Sequence, residues 1–120
     1  MAKKIYVLED DEGISEIVEM VLESEGYEVT CFSSVTSFNA AAIVPSADLY
    51  LLDIMLPDGN GLEVREALLR NTKTSGLPVL IMSAHTSSPE ISNWPGEQHF
   101  IAKPFDIYDL TQRIGRLLEP

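Results

Sequence analysis

Basic residues are scarce in this chain. Eight lysines and arginines stand against nineteen aspartates and glutamates, a net charge of -11, and a surface of that sign repels phosphate backbones and anionic membranes within a Debye length. Direct nucleic-acid binding and membrane attachment through this domain are therefore not expected. Cysteine is nearly absent: Cys31 stands alone, so an intrachain disulfide is impossible, the thiol reads as a small buried side chain, and a reducing cytoplasm fits. Long apolar runs are lacking too. No stretch approaches the ~20 residues of a membrane span. The start, MAKKIYVLEDD, places only four apolar residues between its lysines and its acids, too few for a signal-peptide core. Low-complexity tracts and internal repeats are missing as well.

What remains is an ordinary globular composition, 45% hydrophobic and 22% charged, with both kinds interleaved throughout. A chain of 120 residues buries roughly two thirds of its unfolded surface as one domain and is too short for two. Residues 1–120 are accordingly read as a single unit.

Short apolar runs alternate with helical patterns. Ile5 to Leu8, Tyr27 to Phe32, Leu49 to Leu52, Pro78 to Met82 and Phe100 to Ala102 read as five strands. Between the first two, Ile14, Ile17, Val18, Val21 and Leu22 repeat at helical spacing and Gly26 supplies a stop. Ile107, Leu110, Ile114, Leu117 and Leu118 mark the last helix; Val35, Phe38 and Ala42 before Pro45, and Val64, Ala67 and Leu68, mark two more. Strands apolar on both faces, alternating with helices, argue a doubly wound α/β fold: a parallel sheet covered on each side through right-handed crossovers.

Ligands of such sheets sit beyond the carboxyl ends of the strands, near the point where strand order reverses. Strand one runs into Glu9, Asp10 and Asp11, strand three into Asp53, strand four into Ser83 and strand five into Lys103. Acids, a hydroxyl and a lone ammonium therefore meet at one edge, and oxygen ligands from two strands suit a hard divalent cation such as Mg²⁺. The acidic pair can be taken as Glu9 with Asp10 or as Asp10 with Asp11, and Asp11 is also a good helix N-cap. All three acids also have a plainer use as helix-start residues. Asp58, Gly59, Asn60 and Gly61 do not match a phosphate-loop pattern and read as a turn whose glycines supply positive φ. His85 and His99 lack the companions a metal site needs and read as solvated or packed side chains.

The runs V-L-E-D-D, L-L-D-I-M-L-P-D-G-N-G-L, I-M-S-A and K-P-F, in that order along essentially the whole chain, resemble the response-regulator receiver domain of two-component signalling. The resemblance implies a flavodoxin-like (CheY-like) five-stranded parallel sheet of order 2-1-3-4-5. It also implies that Asp53 accepts a phosphoryl group from a histidine kinase or phosphotransfer protein, with an output domain or downstream protein as the next partner. Carried over by position, Glu9 and Asp10 are the acidic pair, Asp53 and the Met55 carbonyl complete the Mg²⁺ ligands, and Glu9 acts through water. Ser83 is the switching hydroxyl, Lys103 the pattern's lysine, and Lys103-Pro104 a cis peptide. The domain would then be no enzyme beyond its own phosphorylation and dephosphorylation. A carboxylate attacking phosphorus needs in-line placement and charge neutralisation more than base catalysis, which this residue set supplies.

The chain departs from that pattern in places. Phe100 stands where the family often has a tyrosine, so a ring swing is available and a hydroxyl bond is not. HTSSPEISNWPGEQH carries two prolines and a glycine, so the fourth helix is expected to be short or irregular, and the stretch from Thr86 to Gln98, with Trp94 inside it, to be mobile. Met55 and His85 would flank the path of hydrolytic water. Two other readings compete. A haloacid-dehalogenase-like phosphatase also uses an Asp nucleophile and Mg²⁺, but resembles D-x-D at strand one, whereas Asp53 is followed by Ile54 and Met55. A phosphorylation-independent interaction module could keep the same fold.

Overall fold

The computed structural model describes residues 2–41, 47–83, 100–103 and 105–119, with the Ser83 side chain outside that description. In chain order the elements are β1 (Lys4–Leu8), α1 (Glu12–Ser24), β2 (Glu28–Phe32), α2 (Val35–Ala41), β3 (Leu49–Asp53), β4 (Met55–Leu56), β5 (Gly59–Asn60), α3 (Gly61–Arg70), β6 (Val79–Ser83), β7 (Phe100–Ala102) and α4 (Ile107–Leu117). The main sheet has the order β2-β1-β3-β6-β7 and every pairing in it is parallel. With the two short strands β4 and β5 set aside, this is the expected order 2-1-3-4-5, and the flavodoxin-like assignment holds. The expected irregular fourth helix, Trp94, His85, His99 and the Lys103-Pro104 peptide all lie outside the described residues or depend on them.

Strand alternation divides the interior into two cores. Leu49 and Leu51 of β3 point to one face with Ile5, Val7, Val18, Leu22 and Ile114, under α1 and α4. Tyr50 and Leu52 point to the other with Leu8, Phe38, Val64, Leu68 and Ile81, under α2 and α3. Every residue of β3 is buried, as a central strand covered on both faces requires. Three apolar positions counted with the helical stripes are instead on the surface: Ala67 is exposed, Ile17 is 48% exposed and Ile107 43%. Ile17 lies at the rim of the stripe that buries Val18 and Leu22, and Ile107 opens its helix, one turn short of the buried Leu110.

The helix ends follow local chemistry. Asp11 caps α1, its Oδ1 accepting the Ile14 amide at 3.0 Å. At the other end Gly26 has φ 94°, its amide donates to the Glu23 carbonyl, and Tyr27 donates back to Leu22. That left-handed turn is the glycine stop read from the sequence. Buried Thr74 closes α3 by donating its hydroxyl to the Leu68 carbonyl. The Glu66–Arg70 pair on the same helix is exposed on both sides and contributes little by comparison.

The segment after Asp53 corrects the sequence reading. Gly59 and Gly61 do not adopt positive φ; among the described residues Gly26 alone does. Instead Met55–Leu56 and Gly59–Asn60 pair as an antiparallel hairpin around Pro57-Asp58, and the glycines serve close approach. A Cβ on Gly61 would collide with the Asp53 carbonyl oxygen, and one on Gly59 would lie 2.8 Å from Val35 Cγ2. Among the described residues no helix is long and apolar enough to cross a membrane.

Candidate functional site

Register explains why distant residues meet. Leu8 of β1 sits opposite Leu52 of β3, so Glu9 and Asp53 leave the sheet side by side. Asp53 is opposite Met82, and Ser83 opposite Ala102, which brings Lys103 to the same edge. The chain turns to opposite sides of the sheet from β1 and β3, so this edge is the switch point of the fold.

Carboxylate oxygens of Glu9, Asp10 and Asp53 lie within 4.8 Å of one another. Glu9 and Asp53 are buried, 2% and 7% exposed, while Asp10 faces solvent. Lys103 Nζ joins them, donating to Asp53 Oδ2 at 3.2 Å and to Glu9 Oε1 at 2.5 Å. The remaining oxygens are held by backbone: Asp53 Oδ1 accepts the Ile54 amide at 2.8 Å, and Glu9 Oε2 accepts the Asp11 amide at 3.2 Å. Asp11 itself spends its carboxylate on the α1 cap, so of the two possible acidic pairs the structure gathers Glu9 with Asp10.

Burial pushes the Glu9 carboxyl up, and neighbouring Asp53 adds to this against the opposing hydrogen bond from Lys103. Burial alone would pull Lys103 down, but the Glu9 bond and the Asp53 charge prevail and hold it above its ordinary value. Three carboxylates facing one ammonium leave the cluster short of positive charge, and two of the three are buried, where that shortage is expensive. A hard oxygen donor set with unbalanced negative charge fits Mg²⁺.

Of the other residues singled out in the sequence, Met55 starts β4 with its side chain 63% exposed. Ser83 ends β6, with its hydroxyl outside the described atoms. Phe100 is half-buried against the α2/α3 core, and its carbonyl accepts Arg113 Nη1 at 2.6 Å. Two participants were not read from the sequence. The Glu9–Lys103 bond spans 94 positions, and no local pattern marks it. Asp58, read only as a turn residue, accepts hydrogen bonds from the Val35 and Thr36 amides at 2.8 and 2.9 Å and from the Thr36 hydroxyl at 2.6 Å.

Residues 5–115 match the family model of the response regulator receiver domain. The chain is 32% identical over 117 residues to the DNA-binding dual master transcriptional regulator RpaA of Synechocystis, a match covering 96% of this chain and 48% of that protein. It thus spans about half the length of the curated relatives it matches. Among solved structures, the non-phosphorylated HemR receiver domain of Leptospira biflexa superposes with a TM-score of 0.85 at 30% identity, covering 98% of this chain and 95% of that one. The receiver domain of sensor histidine kinase PA1611 from Pseudomonas aeruginosa, solved with a magnesium ion coordinated in its active site cleft, superposes with a TM-score of 0.86. At 22% identity, over 98% of each chain, it speaks for the fold alone.

Proposed function

The chain belongs to the response regulator receiver family of two-component signalling, and from that premise we propose that Asp53 is its phosphoacceptor. The observation that carries the reading is Asp53 itself, a buried carboxylate at the end of the central strand, 3.2 Å from the ammonium of Lys103 and grouped with Glu9 and Asp10. In the reaction one Asp53 oxygen forms the new bond to phosphorus as the donor's P–N bond breaks, leaving an acyl phosphate and a free histidine side chain. The Ile54 amide fixes the carboxylate's other oxygen, and Lys103 passes from Asp53 to the phosphoryl oxygens as they arrive. When bound, Mg²⁺ supplies positive charge opposite those oxygens, and Asp10, Asp53, the Met55 carbonyl and Glu9 through water are the groups that would hold it. Ser83 and Phe100 would follow the new charge as the switch.

On this reading the domain holds one phosphoryl group per chain at a time and is no enzyme beyond its own phosphorylation and hydrolysis. Its donor is a cytoplasmic histidine kinase or phosphotransfer protein. Output belongs to a further domain or a downstream protein, since the net charge of -11 disfavours DNA contact by this domain itself. Incubation with acetyl phosphate, with and without Mg²⁺, tests the proposal. One phosphoryl group accumulating per chain, only with Mg²⁺, is the expected result. Continuing turnover with no phosphoryl group accumulating on the chain would indicate a phosphatase, and neither incorporation nor turnover would leave only an interaction module.

A further inference from the structure

The hairpin that carries Met55 is anchored at both ends. At its base, the Gly61 amide donates to the Ile54 carbonyl at 2.8 Å, and the Gly61 Cα leaves no room for a side chain against Asp53. At its tip, Asp58 reaches across to α2, and Gly59 abuts Val35.

The donors at the start of α2 account for what Asp58 does there. A helix begins with amides that have no partner inside it. Here Val35 and Thr36 donate to the two carboxylate oxygens of Asp58, Ser37 donates to Ser34 Oγ at 3.1 Å, and Phe38 donates to the Ser34 carbonyl. Asp58 is thus a cap supplied from another segment, 22 positions away, and the Thr36 hydroxyl adds a third bond to it. The bidentate hold is geometrically specific, with an ionised acceptor that strengthens each bond.

On the reading that Asp53 and the Met55 carbonyl help to form a Mg²⁺ site, we propose that Asp58 is a positioning residue for that site. By closing the α2 N-terminus it fixes the tip of the hairpin, and with the base fixed at Gly61 the backbone between them, Met55 included, has one placement. The partners behind metal ligands orient those ligands, and their loss typically lowers metal affinity by about 10- to 100-fold.

Calorimetric titration of the intact chain with MgCl₂ tests this, with amide exchange at Val35 and Thr36 as a second readout. Asp58→Ala is expected to weaken Mg²⁺ binding about tenfold and to speed exchange at both amides, with Asp58→Asn falling between it and the native chain. Thr36→Val keeps the Asp58 charge and removes only one bond, so a smaller loss of affinity there reports position and not charge. Thr74→Val, which disturbs the end of α3, is expected to lower the melting temperature without changing the affinity. Faster exchange with unchanged affinity in Asp58→Ala would make Asp58 a helix cap only. Should Asp58→Ala not fold, an unchanged affinity in Thr36→Val would overturn the proposal by itself. A native chain that takes up no Mg²⁺ defeats the receiver reading and this inference together, whereas binding that every Asp58 and Thr36 variant retains defeats this inference alone.

Discussion

At the residue scale, the site depends as much on a missing side chain as on its charged ones. The sequence marks Gly59 and Gly61 as special but cannot say why, because glycine serves both left-handed turns and close approach. At Gly26 the first use applies, and at Gly61 the second. Gly61→Ala is therefore expected to push the Asp53 backbone out of place, costing about 1–3 kcal/mol as overpacking does and slowing phosphorylation by acetyl phosphate. Normal stability and labelling in that variant would contradict the close approach. Asp53, Asp10 and Lys103 were legible because strand ends in an alternating pattern must share one edge. The bond between Lys103 and Glu9 was not, since contact between residues so distant in sequence is set by register. On the proposed reading, Met55, exposed and two residues after Asp53, offers hydrolytic water no strong hydrogen bond. Met55→Asn is expected to speed loss of the phosphoryl group in a decay time course.

At the element scale, all four described helices were legible from their apolar spacing, whereas a cap supplied from elsewhere was not. Asp11 before α1 and Asp106 before α4, which accepts the Tyr108 amide at 2.7 Å, each stand directly before an apolar periodic run. Helix α2 draws instead on Asp58 from the hairpin. The Asp58 carboxyl is held below its ordinary value, first by the Thr36 hydroxyl and then by the Thr36 and Val35 amides. A carboxyl depressed in the folded state stabilises the fold above its unfolded pKa, and that contribution fades as pH falls through the folded value. The difference in melting temperature between the native chain and Asp58→Ala is therefore expected to be full at neutral pH and to shrink in acid. A difference independent of pH across that range would show that the carboxylate charge is not what holds α2.

At the scale of the whole molecule, the parallel sheet turns four unrelated segments into one chemical edge. The apolar blocks in the sequence dictate that sheet, and their polar endings dictate its function. On the proposed reading, a divalent cation and an incoming phosphoryl group balance one another beside the two buried carboxylates and one ammonium of this edge. On that reading, this edge exists to phosphorylate Asp53. Intact-mass measurement of the native chain and of Asp53→Asn, each incubated with acetyl phosphate and Mg²⁺, tests it most directly. One added phosphoryl group is expected on the native chain and none on the variant; equal addition to both, or to neither, would overturn the assignment of Asp53.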